Sequence, residues 1–263
     1  MNVQDRYDED GVVLLNNVLP EKIFEKIRTE YDTLDLNCNR KDIAKDRPII
    51  VLWKHVMGEQ KRIAHFEEFP SLWTLIVEYI VPVLRNAMPD KTKRLQLLET
   101  IIFNKPPHVS NTLNWHQDVA YFPLKPNNQI AVWIPFEPVN AEKSAMVYAL
   151  GSHKHGIRGS VNLHTKEVFE GEDRPLIPND PSKEGFKVVT MEMTNQDMLI
   201  HDGYTWHYTG PNTVSGYTRR GLSVRFITDE AIFDPRPGQG AAFTKQIDIS
   251  PGEKVLGKPF PLL

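Results

Sequence analysis

The chain has a single cysteine, no long apolar run and no surplus of charge of either sign, and each of these shortages removes a class of function. A lone Cys38 closes no internal disulfide, so the chain does not read as a stapled secreted scaffold. The opening Met1-Asn2-Val3-Gln4-Asp5-Arg6-Tyr7 lacks the basic-then-apolar plan of a secretion signal, and a reducing cytoplasm is the expected compartment. The last four residues, Phe260-Pro261-Leu262-Leu263, do not spell a peroxisomal address. No stretch approaches the roughly 18 consecutive apolar residues of a membrane helix, so no span is expected. Lys and Arg number 31 against 34 Asp and Glu, a formal charge of −3 that supplies no field for nucleic acid or an anionic surface. The expected partners are small molecules.

What remains is an ordinary globular composition, with 40% hydrophobic and 25% charged residues. The 263 residues suit one β-rich domain. In that single domain a strand and helices over about 11–85 buttress a β core over about 95–228, and 229–263 form a tail. Gly11 to Val18 reads as a strand, and Ile23, Ile27, Tyr31 and Leu34 make one stripe of a helix over about 20–34. Ile49 to Trp53 reads as a strand, Asp35 to Pro48 as a surface loop, and Pro70 to Leu84 as a helix that Pro82 kinks or ends. From Leu95 onward about eight short strands follow: Leu97–Asn104, the strand carrying His116 and Asp118, Ile130–Phe136, Ala145–Leu150, Phe186–Met193, Met198–His201, Trp206–Tyr208 and Gly221–Thr228. Such a run suits a jelly roll or barrel. Asn162 to Lys183, rich in charge, Pro and Gly, is the expected lid or substrate loop, and the tail after Thr228 is expected to wrap the barrel without regular structure.

The chemistry centres on Asn114-Trp115-His116-Gln117-Asp118. Side chains alternate faces along a strand, so His116 and Asp118 point one way and Gln117 the other. One imidazole and one carboxylate leave a metal short of a third protein ligand. His207 supplies it, on a strand that follows Met198 to His201 and a turn at Asp202-Gly203. Two histidines and one carboxylate with open positions mark non-haem Fe(II) oxygenases, and a downstream arginine would take a dicarboxylic cosubstrate. His201 also ends a strand and rivals His207, but the Gly210-Pro211-Asn212 and Arg219-Arg220 context follows His207, which leaves His201 as a lining residue.

Several blocks resemble the phytanoyl-CoA dioxygenase family of Fe(II)/2-oxoglutarate oxygenases. They are His116-Gln117-Asp118 with Tyr121-Phe122-Pro123, Phe103-Asn104-Lys105-Pro106-Pro107, Gly151-Ser152-His153-Lys154, and His207 through Gly210 and Asn212 to Arg219-Arg220-Gly221-Leu222-Ser223. The resemblance covers about half the chain, roughly Leu98 to Phe226, and the opening strand near Asp10 is also similar. It implies a double-stranded β-helix, a jelly roll of the cupin kind, with Fe(II) held by His116, Asp118 and His207. It also implies that Arg219 binds the far carboxylate of 2-oxoglutarate, with Trp133 near that cosubstrate. The chain departs from the family at two turns, with Lys143-Ser144 in place of an Asn-Gly pair and Leu150 in place of a proline.

Arg219 and Arg220 fall on opposite faces of one strand; Ser223 shares the face of Arg219 and could add a hydroxyl to the carboxylate site, and Arg225 on that face is the fallback. Tyr121 and Phe122 could line the substrate mouth, and Lys105 could steer an anionic group; packing and turn solvation are the competing roles. The expected activity is oxidation by O2, hydroxylation above all, of a small metabolite from natural-product or lipid metabolism, with 2-oxoglutarate converted to succinate and CO2. An aspartate at 118 argues against halogenation, where related enzymes carry a small residue instead. A fatty acyl-CoA substrate is one alternative. A redox-silent metal site doing hydrolysis or isomerisation is another, and it would not need Arg219.

Overall fold

The computed structural model describes residues 2–37, 50–55, 70–107, 113–126, 128–163, 165–235, 249–256 and 260–263. The first helix, α1 (Val3–Asp10), has no apolar stripe to announce it, since Tyr7 is its one buried residue. Its start is fixed by a capping box between Asn2 and Asp5, and its end by Gly11 at φ 75°. It runs into β1 (Val12–Leu15), then α2 (Glu21–Asn37) and β2 (Ile50–His55). Most of the loop expected over Asp35 to Pro48 lies outside the described residues.

Pro82 neither ends nor sharply breaks the next helix. Helix α3 (Pro70–Thr74) widens into a π turn (Leu75–Ile80) before continuing as α4 (Val81–Ala87), with the Val81 N–H bonding back to Ile76 O. The wider turn accommodates a residue that has no N–H to give and presses on the turn before it.

The strands follow as β3 (Leu95–Lys105), β4 (Leu113–His116), β5 (Leu124–Lys125), β6 (Ile130–Pro135), β7 (Met146–Ala149), β8 (Val188–Met191), β9 (Met198–Asp202), β10 (His207–Thr209), β11 (Arg219–Thr228) and β12 (Ile232–Phe233). A six-stranded antiparallel sheet has the order β1-β9-β6-β11-β3-β2, and a four-stranded one β4-β10-β7-β8. The two sheets face each other as a jelly roll.

Strand alternation divides the large sheet's side chains into two environments. Val132, Ile134, Leu222 and Val224 join Phe24, Ile27, Leu72, Ile76 and Leu84 in a core beneath the helices. Trp133 and Leu199 point the other way and meet Met146 and Tyr148 of the small sheet. Burial of that helical face is what anchors the large sheet; the functional residues project from the opposite face, between the sheets.

After β9 the chain leaves the large sheet at Asp202 and enters the small one at His207. That crossing brings the His201 and His207 rings together between the sheets, tilted by 51° with centroids 4.7 Å apart. The tail is more regular than expected. Strand β12 pairs with β5, Phe233, Val255 and Phe260 pack on Leu98 and Phe122, and Leu263 N donates to Leu95 O at 2.9 Å. Among the described residues of the tail, these aromatic and aliphatic side chains close the open end of an apolar cluster. Among the described residues no helix is long and apolar enough to cross a membrane.

Candidate metal centre

His116 is the last residue of β4 and His207 the first of β10, and the two are direct partners across the antiparallel pair. Their ring centroids lie 4.2 Å apart. Asp118 is not on the strand, as the sequence suggested, but opens a short 3-10 turn (Asp118–Tyr121). The alternation still holds because Gln117 stays extended at φ −115°, ψ 140°, one residue past the ladder. Gln117 therefore points outward, donating to Gly156 O at 2.8 Å and Tyr204 O at 2.7 Å and accepting from Arg158 N at 2.7 Å. It ties the segment between the two candidate ligands to the following loop.

One donor atom each from His116, Asp118 and His207 lie within 4.8 Å of one another, and all three residues are buried. The imidazoles are held in a useful tautomer. His116 Nδ1 is 2.7 Å from Asn114 O and His207 Nδ1 2.9 Å from Thr205 O, so a proton on each Nδ1 leaves each Nε2 lone pair free. Burial lowers the pKa of both rings, and for His207 the nearby His116 and His201 add to the effect. Burial raises the Asp118 pKa, but Arg225, His201 and His207 outweigh it and hold the carboxyl well below its usual range. Two neutral imidazoles and a carboxylate form the donor set that suits Fe(II) with positions left open.

Arg225 is not a spare cosubstrate arginine. It donates through Nε and Nη2 to both oxygens of Asp118, at 2.9 and 2.8 Å, and through Nη1 to Glu99 Oε2 at 2.7 Å. With both edges of its guanidinium engaged, the fallback assignment of Arg225 to a carboxylate ligand fails. Glu99 went unnoticed in the sequence reading, although a charge inside Leu97-Leu98-Glu99-Thr100-Ile101-Ile102 was a signal. Tyr148 was also missed, and nothing local marks it. Its hydroxyl lies 3.0 Å from His201 Nδ1, and His201 Nε2 lies 3.3 Å from Asp118 Oδ2.

Arg219 is buried, and among the described residues no carboxylate pairs with it. Its Nε donates to Ser144 O at 3.3 Å and its guanidinium stands 5.3 Å from the Trp133 ring. Arg220 faces outward and pairs with Glu137. Gly221 lets the Trp133 ring lie against β11, since a Cβ there would sit 2.7 Å from Trp133 Cζ2. Ser223 is buried opposite Trp133 in the register.

Lys105 does not solvate a turn. It is fully buried as the cross-strand partner of Arg219, donates to Ser144 Oγ at 2.9 Å and also to Gly210 O. Burial, with Arg219 beside it, pushes its amine down to about 7. Ser144, which stands where the family carries the Gly of an Asn-Gly pair, holds φ 61°, the left-handed conformation that glycine adopts freely. Tyr121 presents its ring edge to His116 at 6.2 Å and to Phe169 at 6.4 Å, and its hydroxyl donates to Val161 O at 2.8 Å. Phe122 turns away from the site into the cluster with Leu98 and Leu124.

The model of the phytanoyl-CoA dioxygenase (PhyH) family matches residues 7–221. The peroxisomal phytanoyl-CoA dioxygenase of Homo sapiens is 22% identical over 232 residues, covering 84% of this chain and 66% of that protein. The Mus musculus enzyme is 22% identical over 236 residues with the same coverage, so the chain spans just under two thirds of these relatives' length. Among solved structures, the non-haem alpha-ketoglutarate-dependent carbocyclase SnoK from nogalamycin biosynthesis matches with a TM-score of 0.74 at 21% identity, covering 99% of this chain and 95% of that one. The epimerase SnoN, solved in complex with Fe3+, alpha ketoglutarate and nogalamycin RO, matches with a TM-score of 0.72 at 18% identity, covering 99% and 96%. These neighbours share the fold, and the family model spans most of the chain. The chain belongs to the phytanoyl-CoA dioxygenase family.

Proposed function

We propose that the chain is a non-haem Fe(II)/2-oxoglutarate-dependent dioxygenase that hydroxylates a small apolar or amphipathic metabolite. The observation that carries this reading is the juxtaposition of a buried His116, Asp118 and His207 with a buried Arg219 that has no carboxylate partner among the described residues. His116, Asp118 and His207 would hold the metal, and Arg219, seated on Trp133 and flanked by Lys105, would take the far carboxylate of 2-oxoglutarate. When bound, Fe(II) and 2-oxoglutarate supply the activation of O2, with release of succinate and CO2.

The protein's contribution is placement and exclusion of water. The Nδ1 contacts of His116 and His207 aim both imidazoles inward, and Arg219 and Lys105, with no carboxylate partner among the described residues, would receive the far carboxylate of the cosubstrate. Ser223 lines that end. Burial lowers the Arg219 guanidinium to about 10, still charged at neutral pH and ready to be compensated by a carboxylate. Substrate would enter along Tyr121 and Phe169, over a loop that carries the exposed apolar residues Val168 and Leu176. That apolar rim supports a compact hydrophobic or amphipathic substrate over the charged head of an acyl-CoA. Helices and sheet share one core, which supports treating the chain as a single oxygenase domain. A reducing cytoplasm suits an Fe(II) centre and a lone cysteine.

The test is anaerobic titration of the apoprotein with Fe(II) and 2-oxoglutarate, reading the visible charge-transfer band of the chelate in wild type and Arg219→Ala. A band that forms in wild type and weakens in the variant supports the reading. Bound metal without a band would replace it with a redox-silent site. With the band established, succinate release on addition of candidate metabolites or acyl-CoAs decides between those substrate classes.

A further inference from the structure

An ionised carboxylate offers about four lone-pair sites, and at Asp118 three of them are taken within the protein. Arg225 closes a two-point fork, Nε to Oδ2 at 2.9 Å and Nη2 to Oδ1 at 2.8 Å. His201 Nε2 stands 3.3 Å from Oδ2. Asp118 only accepts, so the N–H of His201 sits on the Nε2 that faces it, which leaves Nδ1, 3.0 Å from the Tyr148 hydroxyl, to accept from that hydroxyl. The remaining site belongs to Oδ1, the oxygen 3.9 Å from His207 Nε2.

Resting on the metal reading above, we propose that Arg225 is a positioning residue that confines Asp118 to one-oxygen ligation through Oδ1. Tyr148 and His201 block the second oxygen from the other side. Glu99 holds Arg225 in place from the opposite edge at 2.7 Å. A lysine cannot substitute for the fork, since its ammonium is a point charge without a planar pair of donors.

The experiment is titration of the apoprotein with Co(II) alone, reading affinity and the visible d–d bands in wild type, Arg225→Lys, Tyr148→Phe and Asp118→Ala. Arg225→Lys keeps the charge and frees the carboxylate to swing. It should weaken Co(II) binding roughly 10- to 100-fold and alter the band intensities as the coordination changes. Tyr148→Phe removes one hydroxyl, conserves volume and should weaken binding by a few-fold or more. Wild-type affinity and wild-type bands in Arg225→Lys overturn the proposal. Should that variant fail to fold, wild-type affinity and bands in Tyr148→Phe overturn it instead. Failure of the underlying metal reading looks different: wild type then binds no Co(II), or Asp118→Ala binds it as tightly as wild type, and the proposal falls with it.

Discussion

The Lys105 amine and the Ser144 hydroxyl meet 2.9 Å apart in a fully buried setting, and the same hydroxyl donates to Gly210 O at 2.6 Å. Ser144 holds this position at φ 61°, a conformation that costs an L-residue about 1–2 kcal/mol. Ser144→Gly removes that strain but takes an acceptor from a buried amine, a loss of about 1–3 kcal/mol. The two effects offset, so Ser144→Gly should stay close to wild type. Ser144→Ala keeps the strain and loses the acceptor, and should be the least stable of the three in denaturant melts. An alanine variant as stable as wild type would show that the hydroxyl carries no such role.

Lys105 titrates near neutrality, and the sign of its effect follows from the direction of its shift. Burial brings its amine from 10.5 down to about 7. Below about 7 the folded and unfolded states are both protonated and the cost of burying the charge is fully present. Between about 7 and 10.5 the unfolded chain holds the proton that the folded one has lost, so apoprotein stability rises with pH across that window. An anionic cosubstrate prefers the charged amine. The Kd for 2-oxoglutarate should be flat below about pH 7 and rise by up to roughly tenfold per pH unit above it, until the pKa of the bound state is reached. Lys105→Met should bind more weakly at pH 6 and lose this dependence. A flat wild-type profile from pH 6 to 9 would sink the assignment of Lys105 to the anion site.

The gathering of His116, Asp118 and His207 was legible in large part because it is local. His116-Gln117-Asp118 needs only an extended Gln117 to put two donors on one side, and this held even though the strand ends at His116. His207 was legible from the turn after His201. The partners that act on those residues were less so. Arg225 meets Asp118 from 107 residues away and Glu99 from 126, contacts set by sheet register rather than by any spacing. Arg225 looked like a spare cation because alternation gives its face but not its partner. Lys105 looked solvated because Pro106-Pro107 marks a turn, whereas it ends the strand that pairs with Arg219. Helix α1 escaped because a capping box, not an apolar stripe, defines it.

Arg219 should separate cosubstrate binding from metal binding. Arg219→Ala removes a buried cation whose proposed partner is a carboxylate, an interaction whose truncation costs about 2–5 kcal/mol. The expected readout is a rise of that size in the Kd for 2-oxoglutarate, followed by the charge-transfer band, with Co(II) affinity unchanged. Arg219→Lys should recover only part of the loss, because an ammonium cannot fork onto both oxygens or stack on Trp133 in the same way. Equal loss of metal and cosubstrate affinity in Arg219→Ala would point to collapse of the site rather than to a missing ligand.

Gly221 sits between Arg219 and Ser223 and lets the Trp133 ring approach β11 closely. A Cβ at this position would stand 2.7 Å from Trp133 Cζ2 and 3.2 Å from its Nε1. Trp133 is itself buried among Leu199, Met146 and Tyr148, so the ring has little room to retreat. Gly221→Ala should therefore cost about 1–3 kcal/mol in urea unfolding, the usual range for overpacking a filled core. The displaced ring is also the surface on which the Arg219 guanidinium rests, so the Kd for 2-oxoglutarate should rise while Co(II) still binds at His116, Asp118 and His207. Wild-type stability together with wild-type 2-oxoglutarate affinity would mean that Trp133 shifts freely and does not seat Arg219.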